Sequence, residues 1–352
     1  MQAADRICCR ARSRVLKARF LVAKAPRNDS GVFNSLLGVQ CRARIAARGS
    51  LVYSRRAGGS AVPIPMQAIL KALTRIPLPL LYPIGWLIYF VAFRILRWRR
   101  ERAEMDIAKA FPDKDAAERA RIVRAAYRNL ADTLMEAFWG FGASADAISR
   151  RVVFENPELV HECVAANQSV VLLTAHYGNW EWLSLAAGVH FGITIDVVYQ
   201  RQRVAAIEAF LREARGRFGS RFIPREEFIF DLMSRAGQPR AYALIADQTP
   251  KHKNDPRHWT RFLGQDTAFF KGAGKIAQFL EAKVLYVTMR RLRRGHYSVR
   301  LVMLAEPPYD ADANEAIVER YTRSLEHDIR DSPADWLWLQ NKWKVKRPAH
   351  AT

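Results

Sequence analysis

Val170–Gly188 reads VVLLTAHYGNWEWLSLAAG, an apolar run that stops at a histidine and resumes after a glutamate. The first part, SVVLLTA from Ser169, reads as a buried strand, and NWEWLSLAAGV from Asn179 reads as a helix. The handover from strand to helix at His176 is repeated along the rest of the chain. ITIDVVY is a strand, VAAIEAFLREARGRF a helix stopped by Gly219, RAYALIA a strand, and GAGKIAQFLEA a helix. KVLYVTMRRLRRGHYSVRLVML supplies two strands around an RRG turn, and NEAIVERYTRSLEHDIRD is a helix with Ile317, Tyr321, Leu325 and Ile329 on one stripe. Strands and helices in alternation predict an α/β fold, a mostly parallel sheet made mixed by the hairpin and flanked by helices.

The seam itself carries chemistry. His176 arrives at the carboxyl end of a strand, where open α/β sheets gather ligands. Glu181 comes five residues later, and on one unbroken helix the two side chains would diverge by roughly 140°. They meet only if the helix begins between them. Gly178 permits a sharp turn, Asn179 is a good N-cap, and Glu181 then falls in the first turn, where the helix dipole favours a carboxylate. A carboxylate there is expected to bind one imidazole nitrogen of His176 and orient it as a general base. A histidine satisfied structurally at a strand end is the alternative.

N-terminal to this region the chain changes character. Ile76 to Leu96 reads IPLPLLYPIGWLIYFVAFRIL, with Arg94 its one charge, and RWRRER follows. As a helix it would be roughly 31 Å long, close to the hydrocarbon thickness of a bilayer. Residues 66–100 are therefore read as a membrane anchor, spanning or deeply inserted, with the basic flank keeping the body on the cytoplasmic side. Pro77, Pro79 and Pro83 interrupt its first part, and a buried or interfacial helix is the competing reading. Residues 101–350 form the α/β domain. AERARIVRAAYRNLADTLMEAFWGFG opens it as a helix, with Ile122, Ala126, Leu130, Leu134 and Phe138 at intervals of four and Gly140 and Gly142 at its end.

Composition limits the alternatives. The 352 residues are half apolar, which excludes disorder throughout. The formal net charge is +22, and residues 1–65 hold thirteen Lys and Arg against two acids, half of that excess. This basic leader is expected to be disordered; it has the composition of a transit peptide, and is read in preference as a translated region ahead of a start at Met66. Cys8, Cys9 and Cys41 lie in it and leave Cys163 alone in the body, which allows no disulfide framework and suits a reducing compartment. No His-Glu-x-x-His or Gly-x-Ser-x-Gly pattern occurs. KGAGKIA around Gly274 and Lys275 imitates a phosphate loop, but its spacing is incomplete and it reads as a helix N-terminus.

HYGNWE with its His-x4-Glu, VVY with nearby arginines, ALIADQTP, RFLGQDTAFFKGAGKIA and WLWLQNKWK, in that order behind an apolar anchor, resemble the lauroyl and myristoyl acyltransferases of lipid A biosynthesis. These are similar to the wider lysophospholipid acyltransferase superfamily. The resemblance covers about Met66 to Arg347. It implies transfer of a fatty acyl group from an acyl carrier protein thioester to a hydroxyl of a lipid A precursor, at the inner membrane, without metal or bound cofactor. It makes His176 the base and Glu181 its orienting partner; acyl transfer also requires donors to the oxyanion, expected near Gly178, Asn179 or an arginine. It also gives Asp247 a role in positioning an arginine. Two departures concern the acceptor. Tyr199 is followed by Gln200 where the family has arginine, so that Arg201 or Arg203 takes the phosphate-binding role; and Gln340, Asn341 and Lys342 stand where the family has His-Arg-Arg. Another glycolipid, a glycerolipid or an aminolipid remains open as acceptor. The basic stretches KHKNDPRHWTR and RRLRRGH suit anionic headgroups and an acidic carrier protein. A non-catalytic basic protein bound to membrane or nucleic acid is the rival reading; it leaves His176 and Glu181 without a task, and no nucleic-acid partner is expected.

Overall fold

The computed structural model describes residues 64–235, 237–250 and 255–348. The basic leader with Cys8, Cys9 and Cys41 falls outside the described residues. In chain order the helices are α1 (Ile64–Leu73), α2 (Leu78–Phe90), which continues as a π-helical turn (Val91–Ile95), α3 (Arg100–Ala110), α4 (Ala116–Gly140), α5 (Ala145–Ser149) and α6 (Glu158–Ala165). Then come α7 (Trp180–Phe191), α8 (Ala205–Gly216), α9 (Phe228–Ser234), α10 (Gly272–Leu280) and α11 (Ala313–Asp331). The strands are β1 (Val152–Phe154), β2 (Val170–Thr174), β3 (Ile195–Tyr199), β4 (Arg221–Pro224), β5 (Ala241–Ile245), β6 (Arg257–Phe262), β7 (Gln265–Phe270), β8 (Lys283–Arg293) and β9 (His296–Ala305).

Among the described residues, seven strands form one sheet in the order β1-β9-β8-β2-β5-β3-β4. All neighbours are parallel except β8 and β9, the hairpin read from the sequence. β2 lies in the middle, so both of its faces are covered and VVLLT is apolar at nearly every position. Its alternate residues serve two cores. Val171 and Leu173 pack with Ile317, Tyr321, Leu325 and Ile329 of α11, and Val170 and Leu172 pack with Trp182, Leu185 and Ala186 of α7.

Some elements differ from the sequence reading. Short β1 and β4 extend the sheet, and β6 and β7 form a separate two-stranded hairpin. The buried stripe of α4 runs through Val123, Ala126, Tyr127, Ala131, Glu136 and Ala137, while Leu134 is exposed. A strict interval of four gains about 40° per step on a helix of 3.6 residues per turn, so a stripe drawn that way leaves the core within a few turns. The phosphate-loop imitation is packing: a Cβ on Gly274 would lie 2.5 Å from Asn314 Cα, so the glycine lets α10 close on α11.

Pro77 precedes α2 and Pro79 occupies its first turn, where a missing N–H costs nothing; Pro83 is the one inside it. The helix and its π-helical continuation, Leu78–Ile95, are long and apolar enough to cross a membrane by length and composition. Leu78, Leu81, Gly85, Tyr89 and Phe93 of this segment are nonetheless buried. A Cβ on Gly85 would come 2.9 Å from Met135 Cγ of α4.

Candidate active site

β2 and β5 are adjacent and parallel, with Thr174 opposite Ile245. Each strand is followed by an alanine and then by an ionisable residue, His176 after one and Asp247 after the other. The matched register puts the two side chains level at the carboxyl edge of the sheet. The His176 ring is held at Nδ1, 2.8 Å from Asp247 Oδ1, and the His176 backbone N–H donates to Asp247 Oδ2 at 3.1 Å.

Asp247 is completely buried, and its carboxylate is surrounded by donors. Trp336 Nε1 donates to Oδ2 at 3.0 Å and Gln340 Nε2 at 2.9 Å. Lys342 Nζ donates to the Asp247 carbonyl at 2.8 Å and lies 3.6 Å from the centre of the Phe269 ring. Burial alone would raise the Asp247 pKa, but His176, the Gln340 bond and Lys342 outweigh it and hold the carboxyl below the usual carboxylate range. Burial pushes Lys342 down to about 7, against the pull of Asp247. For His176 burial disfavours the imidazolium; Asp247, through charge and hydrogen bond, and then Glu181 reverse this and raise the pKa above 6.5.

The Asp247 carboxylate is ionised and accepts from Nδ1, so the neutral ring carries its hydrogen there. Nε2 is then the lone-pair nitrogen, and among the described residues it has no hydrogen-bond partner. The ring retains some exposure, 16% of its side chain, and Trp180 meets it edge-on at 5.3 Å. Trp180 also walls an apolar cavity of about 60 Å³ between β2, β5, β3 and α7, lined by Leu172, Leu183, Phe191, Val197 and Val287 among others. Trp182 points the other way, fully buried, its Nε1 donating to the Glu136 carbonyl at 2.6 Å. The two tryptophans that flank Glu181 thus separate into one beside the site and one in the core.

Several assignments change. The helix does begin between His176 and Glu181, with Asn179 Oδ1 accepting from Trp182 N at 3.0 Å and Gly178 at a φ of +61°. Glu181 nevertheless does not bond the imidazole. Arg215 of α8 takes both its oxygens, Nε donating at 2.8 Å and Nη2 at 2.5 Å, and a planar guanidinium outcompetes a single ring N–H for a carboxylate. Asp247 holds His176 and, among the described residues, no arginine. Of the groups considered as oxyanion donors, Asn179 Nδ2 donates to Glu136 Oε2 at 2.9 Å, and the Gly178 N–H donates to the Asp335 carbonyl at 2.9 Å. Arg201 and Arg203 follow β3 on the same carboxyl edge, two strands from β2 and so roughly 10 Å along it. They are exposed, border an open hollow of about 360 Å³ with Gln200 and Gln202, and Arg201 pairs with Glu227.

The sequence does not mark Trp336 or Arg215, and it marks Gln340 and Lys342 only as departures from the family's closing block. One signal is available for Asp247: the equal two-residue offset of TAH and IAD past their strands. The C-terminal segment is drawn in by backbone bonds, Leu337 N to His176 O at 3.0 Å, and by Thr249 Oγ1 to Lys342 O at 2.6 Å. Such closures join residues far apart in sequence and have no local pattern.

A family model described as bacterial lipid A biosynthesis acyltransferase matches residues 63–345. Among curated relatives, the chain is similar to lipid A biosynthesis acyltransferase 2 of Shigella flexneri, 20% identical over 262 residues, 73% of this chain and 82% of that protein. It is also similar to the lipid A biosynthesis myristoyltransferase of Escherichia coli K12, 22% identical over 263 residues, 73% of this chain and 79% of the relative.

Proposed function

The chain belongs to the bacterial lipid A biosynthesis acyltransferase family, and from that premise we propose that it moves a fatty acyl group from an acyl carrier protein thioester to a hydroxyl of a lipid A precursor, on the cytoplasmic face of the inner membrane, with His176 as general base. The observation that carries this reading is the His176 ring, locked at Nδ1 by a buried Asp247, with Nε2 free of partners among the described residues and the ring against Trp180, which also walls an apolar cavity.

The chemistry rests on that geometry. The acceptor hydroxyl gives its proton to His176 Nε2 as its oxygen attacks the thioester carbonyl. Asp247 stabilises the imidazolium that forms, and Glu181 adds a second negative charge nearby. The tetrahedral intermediate collapses with cleavage of the carbon–sulfur bond, and the imidazolium returns the proton to the departing thiolate. Proton and electron pair balance over the cycle, and the ester is formed with release of the carrier thiol. Arg201 and Arg203 stand on the same edge as candidates for an acceptor phosphate. The hydrocarbon end of the acyl group is assigned to the cavity walled by Trp180. At about 60 Å³ it has room for only a few waters, so a full chain requires the α7 side to give way.

The test is mass spectrometry of membrane lipids with and without the gene, followed by transfer from acyl carrier protein thioesters in vitro. Loss of one acyl chain from lipid A and its restoration in vitro are expected. Loss of acylation from a different glycolipid, a glycerolipid or an aminolipid would move the acceptor. An unchanged lipid profile together with no transfer would remove the reading.

A further inference from the structure

The apolar segment Leu78–Ile95 is about 27 Å long at 1.5 Å per residue, near the thickness of a bilayer core, yet both of its ends are attached to the same body. At the N-terminal flank, a Cβ on Gly142, just past α4, would lie 2.7 Å from the Thr74 carbonyl, and Lys71 of α1 pairs with Glu213 of α8 at 2.7 Å. At the C-terminal flank, Arg99 Nη1 donates to the Leu339 carbonyl at 2.6 Å, Arg102 Nη1 to Asn341 Oδ1 at 2.9 Å, and Tyr127 of α4 donates to the Trp98 carbonyl. A helix that crossed the membrane would have to carry one of these flanks away from the domain.

Its middle is also flanked by charge. Tyr82 OH donates to Glu136 at 3.1 Å and lies 4.5 Å beneath the Arg294 guanidinium. Arg128 sits 5.3 Å over Tyr89 and Arg100 4.5 Å over Phe93. Asp132, one turn along α4 from Glu136, pairs with Arg291 and Arg294. A bilayer centred on Gly85 would immerse all of these groups, and ionised side chains at that depth are strongly disfavoured. The opposite side of the segment is apolar and exposed: Leu80, Ile84 and Leu87 share one face, with Trp86, Leu96 and Trp98 beside it. Arg75, Arg94, Arg97 and Arg99 are exposed at its two ends.

We infer that Leu78–Ile95 lies in the plane of an anionic bilayer and does not cross it: one face is bound to α4, the other is sunk among the acyl chains, and the terminal arginines sit at the headgroups. In this packing one helix, α4, lies between the segment and the His176–Asp247 site. α4 contacts the segment on one side, and on the other its Asn129 donates to Asp335 at 2.7 Å, one residue from Trp336. This inference stands apart from the acyl-transfer reading and can fail without it.

Two measurements on the full chain test it. The four native cysteines are replaced by alanine, and Arg75→Cys or Arg97→Cys is introduced at the exposed flanks. A membrane-impermeant maleimide is then applied to spheroplasts and to inside-out vesicles of the expressing cells. Both positions are expected to label in the same preparation and to be protected in the other; labelling from opposite sides would overturn the inference. Flotation with phosphatidylethanolamine and phosphatidylglycerol vesicles supplies the second measurement. The exposed double variant Leu80→Glu with Leu87→Glu is expected to lose binding by about tenfold or more with an unchanged thermal midpoint. Failure of the parent chain to float, equal flotation of the variant, or conversion of a dimer to a monomer by the variant would each overturn it, the last by showing a second copy on this face.

Discussion

Replacing Asp247 by asparagine changes one atom's role and little of the shape. Oδ2 accepts from three donors, the His176 N–H at 3.1 Å, Trp336 Nε1 at 3.0 Å and Gln340 Nε2 at 2.9 Å. The amide oxygen must take that place, since an NH₂ group there would face three donors. The amide nitrogen then stands where Oδ1 was, 2.8 Å from His176 Nδ1, and donates to it. The ring is driven to the tautomer with hydrogen on Nε2, so the nitrogen facing the acceptor can no longer take a proton. The expected loss in kcat is about 10² to 10⁴, the usual worth of a general base, or roughly 3 to 5 kcal/mol in the barrier. Binding of the thioester should change little. Single-turnover transfer by purified protein across about pH 5 to 9 measures this. In the parent enzyme the rate rises with pH through a value above 6.5, because the base must be neutral and its pKa is raised. An Asp247→Asn protein within about threefold of the parent would refute the tautomer argument.

The neighbouring contacts give further expected outcomes. Glu181→Gln removes a charge that supports the imidazolium but leaves Nδ1 held by Asp247; the rising pH limb should move to lower pH, with a loss in kcat below about tenfold, and a loss equal to that of Asp247→Asn would show the wrong carboxylate was assigned. Lys342 is expected to titrate at about 7 when folded and near 10.5 when unfolded, so between those values the unfolded chain binds the extra proton and stability rises with pH. Lys342→Met should remove that slope, on the order of 1 kcal/mol per pH unit, in denaturation midpoints compared across the alkaline range. Gly274→Ala would press a methyl against the Asn314 backbone and lower stability by about 1 to 3 kcal/mol; an unchanged thermal midpoint would argue against the packing role of this glycine.

The alternation of strands and helices is legible in the sequence because buried parallel strands are short apolar runs and the helices between them carry one apolar stripe. His176 is legible for the same reason, as the polar residue that ends such a run. Its partner is not. Reading along the chain favours Glu181, five residues away, and correctly locates a helix start at Asn179. The choice between Glu181 and Asp247 is made by residues far off: Arg215 of α8 takes the first, and the β2–β5 register delivers the second from 71 residues away. Hydropathy likewise marks Leu78–Ile95 as long enough for a bilayer, whereas the contacts of Thr74, Arg99 and Arg102 with the body are tertiary and leave no local trace. The closing WLWLQNKWK block is visible as a family feature, but the inward direction of Gln340 and Lys342, onto Asp247, depends on that same closure.

The proposed role of His176 Nε2, taking the acceptor's proton, is measured by single-turnover transfer from acyl carrier protein thioester to lipid precursor with purified His176→Ala protein. The expected rate is lower by about 10² to 10⁴ in a protein that keeps its thermal midpoint. Transfer at near the parent rate would rule out His176 as the base.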